Sequence, residues 1–253
     1  MLSSASLFHF TRNLQSLRGI LAEGFKVNPS FERMDILSRA FGGPPDGDET
    51  GIPMVCFCDI PLSQTTEHMD RYGKYAIGLS KGWGEARKIA PVLYGHSGTP
   101  LLDALIAYRK LLLKFKVTSD PDPAARRNAL EAGRLVYYFK AYEGDARQAD
   151  GKIRHTRFYD EREWRYVPDS IEDCPTISRE AMADPNARLA VEAYLATCSR
   201  LMFRPQDVTH IIVATDADIP PLLEGLADAG ILQGNDASLV TRITTAERIR
   251  ADY

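Results

Sequence analysis

The chain is short of most features that announce a function. Four cysteines in 253 residues (Cys56, Cys58, Cys174 and Cys198) are too few for a disulfide framework. A zinc site built on Cys56, Cys58 and His68 lacks a fourth ligand, so no metal is expected. The apolar run Leu111–Leu113 is flanked by lysines and far too short to cross a bilayer. Positive charge is not in excess: 31 Lys and Arg stand against 34 Asp and Glu, a net charge of -3. Such a balance does not indicate a nucleic-acid partner or acceptor. Met1-Leu2-Ser3-Ser4 has neither a basic start nor a cleavable apolar segment, so the cytoplasm is the expected location. Also missing are a G-x-G-x-x-G after a strand, a GK[ST] ending and a G-x-S-x-G elbow. On pattern, these absences exclude a P-loop, leave a Rossmann site unsupported and make a Ser-His-Asp hydrolase a weak reading.

What is present is ordinary globular material, 44% hydrophobic and 26% charged. "SLFHFT" (6–11) reads as a strand, followed by a helix carrying Leu14, Leu17, Ile20 and Leu21, with Thr11 as its N-cap and Gly24 as its stop. "FGGPPDGDETG" (41–51) reads as a mobile loop. Strands are expected at 54–62, 75–81, 90–95, 135–144 and 208–216, and through 158–168. Thr99-Pro100 opens a helix over 100–116 with Leu101, Leu105, Tyr108, Leu112 and Phe115 on one stripe. A second helix follows, making a helical insertion around 100–133. Further helices are expected after Pro185 and over "IPPLLEGLADAG". Several strands are not separated by helices, which argues for a single α+β domain over 1–253, with mixed or antiparallel sheets and flanking helices.

The densest chemistry lies in "FYDEREWRYVP", residues 158–168. Read as a strand, it puts Tyr159, Glu161, Glu163, Arg165 and Val167 on one face. Glu161 and Glu163 are the candidate acids, held beside aromatic bodies where a carboxylate can accept from a substrate hydroxyl or stabilise positive charge. The plainer alternative is surface charge paired with Arg162 or Arg165. His9 is either a core histidine satisfied by a carbonyl or a neutral N–H donor to a bound sugar or amide, with Thr11 on the same face. Tyr72 could cover a flat ligand or a sheet edge. Ser63, in the polar turn after Pro61, and Arg165 complete the candidate ligand contacts. Asp216 and Asp218 offer a magnesium site or, more simply, a cap from Asp218 to the next helix.

Three segments in order, "LFHFT…L…ILAEGF", "VCFCDIPLS…H…YGKYAIGLSKGWG…PVLY" and "FYDEREWRYVP", resemble the AbiGi family, the antitoxin component of the AbiG abortive phage-resistance system. The resemblance implies phage defence in partnership with a toxin often encoded alongside. "HFT" followed by a helix ending "IL..G" is also similar to the start of DarT-like ADP-ribosyltransferases. That likeness implies an ADP-ribosyltransferase-like fold with an NAD-binding cleft between two small sheets. His9 and Thr11 then match the His-x-Thr strand, Glu163 the catalytic glutamate, and nicotinamide lies near His9 and Tyr72. Two expectations follow. One is a defence enzyme that uses NAD, with His9 and Glu163 facing a common hollow; the other is a non-catalytic antitoxin that binds its toxin.

Overall fold

The computed structural model describes residues 3–33, 49–96, 98–114, 122–147, 152–171, 174, 177–178, 181–232 and 234–252. Its strands are β1 (Ser6–Thr11), β2 (Asn28–Arg33), β3 (Glu49–Cys58), β4 (Tyr75–Ser80), β5 (Ala90–Pro91) and β6 (Leu93–Gly95), then β7 (Phe139–Ala141), β8 (Gly144–Arg147), β9 (Ile153–Thr156), β10 (Glu163–Tyr166), β11 (Val208–Val213) and β12 (Ile243–Thr245). Among the described residues the main sheet has the order β12-β11-β4-β1-β3-β10-β5, with β2 also paired to β3. Its pairings are antiparallel apart from the parallel contact of β11 with β12. Two small sheets, β6–β7 and β8–β9, stand off it. The fold is mixed α+β, as the pattern of strands and helices implies.

The central strands are apolar on both faces because helices cover both. One face carries Leu7, Phe57, Ile77, Leu79 and Ile211 against Leu17 and Leu21 of helix Leu14–Glu23, Leu222 and Leu226 of helix Ile219–Asp228, and Trp83 of helix Lys81–Ala86. The other carries Phe8, Phe10, Ala76 and Ile212 against Met69 of helix Thr66–Tyr72 and Ile249 of helix Ala246–Asp252. Burial of one such side chain contributes roughly 1.5–3 kcal/mol, so these two clusters set the order of layers.

Several expected boundaries move. Helix Leu14–Glu23 is capped by Asn13, whose Oδ1 accepts from Ser16 N at 2.8 Å. Thr11 cannot cap it, because Thr11 is still extended and paired with Tyr75. Gly24 ends the helix at φ 79°, as expected. The stretch 90–95 splits into β5, which pairs with β10, and β6, which pairs with β7. Residues Arg134–Tyr138 form a 3-10 turn that tightens the end of helix Pro123–Gly133, so strand structure begins only at Phe139. In helix Pro100–Lys114 the buried residues among those described are Leu102 and Leu105, packed on Phe139, while Leu101 is exposed. Phe115 and most of the 41–51 loop lie outside the described residues. Asp218 precedes helix Ile219–Asp228, but its carboxylate turns back to accept from Thr215 N at 2.9 Å.

Gly73 ends helix Thr66–Tyr72 and admits the chain into β4 at φ 123°, where an added Cβ would sit 2.2 Å from the Thr11 carbonyl oxygen. Gly73→Ala is expected to destabilise the protein by more than about 2 kcal/mol, read as a lower urea midpoint with unchanged slope.

Candidate functional site

Residues 158–168 are not one strand. Phe158–Glu161 form a 3-10 turn, Arg162 takes the left-handed conformation (φ 44°, ψ 53°), and only Glu163–Tyr166 is extended. A left-handed arginine is unfavourable by about 1 kcal/mol. Its effect is to reverse the chain so that Glu161 and Glu163 converge instead of standing two strand positions apart. From Glu163 onward the expected alternation holds: Glu163, Arg165 and Val167 are buried. The edge of β10 is closed by Tyr94, whose hydroxyl accepts from Glu163 N at 2.8 Å.

The convergence is held by cations. Lys140 Nζ, from β7, donates to Glu161 Oε2 at 2.8 Å and to Glu163 Oε2 at 2.5 Å. Arg165, completely buried, donates through Nε to Glu163 Oε1 at 2.6 Å and through Nη1 to the Tyr137 carbonyl at 2.7 Å. Tyr72 Oη donates to Glu161 Oε1 at 2.6 Å, and Arg71 Nη1 reaches the same oxygen at 3.3 Å. Burial opposes ionisation of both glutamates, but Lys140, joined at Glu163 by Arg165 and at Glu161 by the Tyr72 hydroxyl, outweighs it. Both carboxyls are held below the usual carboxylate range. Burial and the adjacent Glu161 push the Tyr72 phenol well up, so it stays a donor.

His9 stands where the sheet forks. β1 touches β3 only at Phe8–Cys58, and β2 takes over the same edge of β3 from Met54 onward. In the gap between them His9 Nδ1 donates to the Cys56 carbonyl at 2.8 Å, so a ring replaces a strand as the partner of that oxygen. A carbonyl only accepts, so Nδ1 carries the proton and Nε2 is left as an acceptor. Burial lowers the pKa of His9, outweighing the Cys56 contact, and the ring lies edge-on to Phe25 and Phe57. His9 is thus the carbonyl-satisfied histidine of the plainer reading, and its free nitrogen accepts where an N–H donor was expected.

Registers put His9 beside Ile77 on one face of the sheet and Glu163 beside Cys58 on the other. Because the strands part at the fork, one hollow of about 230 Å³ still touches both; Phe8, Phe57, His68, Tyr72, Lys140 and Glu161 also border it. A second hollow of about 520 Å³ shares His9, Ser30 and Cys56 with the first and is bordered by Thr11. Ser63 is exposed and borders neither. Arg165 is sealed behind Glu163, where it orients that carboxylate and meets no ligand space. The structure adds Lys140 and His68 to the expected set. Lys140 is a lone cation in an aromatic stretch, a pattern that calls for a buried carboxylate partner. The His68 ring lies 4.9 Å from Phe10 and 4.5 Å from Tyr72, and burial lowers its pKa to about 4. Among the described residues no group of three or more His, Cys, Asp or Glu could hold a metal ion.

Residues 48–214 match a family described as "Putative abortive phage resistance protein AbiGi, antitoxin". The chain belongs to the AbiGi family. It is 28% identical over 177 residues to a Lactococcus lactis subsp. cremoris protein named "Abortive phage resistance protein AbiGi", covering 64% of this chain and 71% of that one. No solved structure matches it. The AbiGi match takes in His68, Tyr72, Lys140, Glu161 and Glu163 and begins after His9 and Thr11. No helix among the described residues is long and apolar enough to cross a membrane.

Two outcomes follow from the charge cluster. Lys140→Met leaves two buried carboxylates short of a cation and is expected to lower stability by about 3–5 kcal/mol at pH 8. The loss should be smaller at pH 4, where protonation relieves the pair, and denaturant titrations at the two values measure it. In the native protein, depressed glutamates stabilise above their unfolded value of about 4.3, and a depressed His68 stabilises above about 6.5. Stability is therefore expected to fall from pH 6.5 towards 4 as unfolded histidine binds protons, and to fall further below 4.3. A midpoint independent of pH over this range would contradict both assignments.

Proposed function

We propose that this AbiGi-family chain works in abortive phage resistance as a binding protein, the antitoxin of its pair, and not as a transferase. The state of Glu163 carries this reading. A carboxylate that stabilises an oxocarbenium-like cation has to present its negative field to the ring. Glu163 instead accepts three hydrogen bonds from Lys140 and Arg165, which neutralise that field and leave one acceptor position at most. The cluster then serves to lock β10, β7 and helix Thr66–Tyr72 into the surface that a toxin meets. Co-expression with a toxin encoded beside this chain's gene tests this directly. Growth is expected to be rescued, and purified chain with labelled NAD is expected to release no nicotinamide above buffer.

A second reading has its own observation. The two hollows share His9, Ser30 and Cys56 in their walls, so a dinucleotide laid across that shared wall would reach both. In an ADP-ribosyltransferase-like arrangement NAD is the substrate, Tyr72 and His9 flank nicotinamide, Thr11 meets the remainder, and Glu163 uses its remaining acceptor position on a ribose hydroxyl. Glu161 then orients Tyr72 and Lys140. Nicotinamide release that disappears in Glu163→Gln, with an unchanged circular dichroism spectrum, would establish this reading over the first.

A further inference from the structure

His68 is a polar group in the cavity that the charge cluster does not use. Its ring borders the hollow, held between Phe10 and Tyr72, and among the described residues neither ring nitrogen has a hydrogen-bond partner. His68 is half-buried, and a ring nitrogen without a protein partner that borders a hollow is a position for a ligand or ordered water. The walls around it are Phe8, Phe10 and Phe57, a flat apolar lining. The carboxylates opposite are already matched by Lys140, Arg165 and Arg71, so the space holds little unbalanced charge. A volume of about 230 Å³ lies below the range of drug-sized sites and suits one ring.

We propose that this cavity binds a neutral single ring bearing a hydrogen-bond donor beside an acceptor, and that His68 meets one of that pair through the ring nitrogen that faces the hollow. A ring carboxamide and a ribose vicinal diol share this chemistry. His9 Nε2 and the remaining acceptor positions of Glu161 and Glu163 take further donors from the ligand. The site requires no turnover, so it stands apart from either functional reading: an antitoxin could use it as a sensor and a transferase as a substrate pocket.

The test uses the full chain labelled with ¹⁵N-histidine and titrated with nicotinamide, ribose, ADP-ribose and NAD in turn. At least one probe is expected to shift the His68 ring signals saturably while exposed His96 stays still. Affinity for that probe should drop about tenfold in His68→Phe and recover in His68→Gln, whose amide keeps a donor and an acceptor. Response to nicotinamide but not ribose identifies the carboxamide, and the reverse identifies the diol. If NAD binds His68→Phe as tightly as the wild type, this proposal fails while an NAD-using reading survives. If no probe shifts His68 at millimolar concentration, the proposal is overturned outright. Should His68→Phe not fold, the ring shifts and His68→Gln decide alone.

Discussion

Two carboxylates brought together in a protein interior repel each other, and desolvation penalises each of them separately. In this protein one ammonium group, Lys140 Nζ, sits between Glu161 and Glu163 and makes their joint ionisation tolerable. Much of the local architecture follows from that contact. The left-handed Arg162 is needed to bring the second glutamate round, Arg165 is needed to complete its compensation, and Tyr72 is needed to satisfy the first. The three segments involved are remote in sequence, and this shared charge, with the bond from Arg165 to the Tyr137 carbonyl, ties the β7 region to β10. The arrangement is a lock first, and any chemistry in the hollow has to work with carboxylates that are already engaged.

The regular parts of the fold were legible because their signals are local. Apolar spacing placed β1, β4, β11 and the helices after Asn13, Asp184 and Asp218, and Gly24 marked its helix end by conformation alone. The 158–168 segment misled because its alternation is genuine only from Glu163. Before that point the chain runs through a 3-10 turn and the left-handed Arg162, and Lys140, the cation that Glu161 meets there, lies some twenty positions upstream. The same reason hid His68 and Lys140 as site residues. A lysine among tyrosines says that it needs a carboxylate, but spacing cannot say which one.

His9 and Glu163 show the limits of face-counting in another way. They belong to opposite faces of one sheet and still border one hollow, because β1 and β3 separate after a single bridge. The part of the chain matched to AbiGi holds the charge cluster and His68, while His9 and Thr11 come before it. The matched span therefore supplies one part of the cavity wall, and the segment before it supplies Phe8, His9, Phe10 and Ser30.

The imidazole at the fork has a colloidal consequence. A strand that stops pairing part-way along its length leaves a short row of backbone groups open to recruitment by any extended segment, including one from a second molecule. At Cys56 that vacancy is stoppered by a side chain already bonded to the carbonyl and wedged among aromatic rings. The opening is therefore closed to edge-to-edge pairing with a second molecule at that carbonyl.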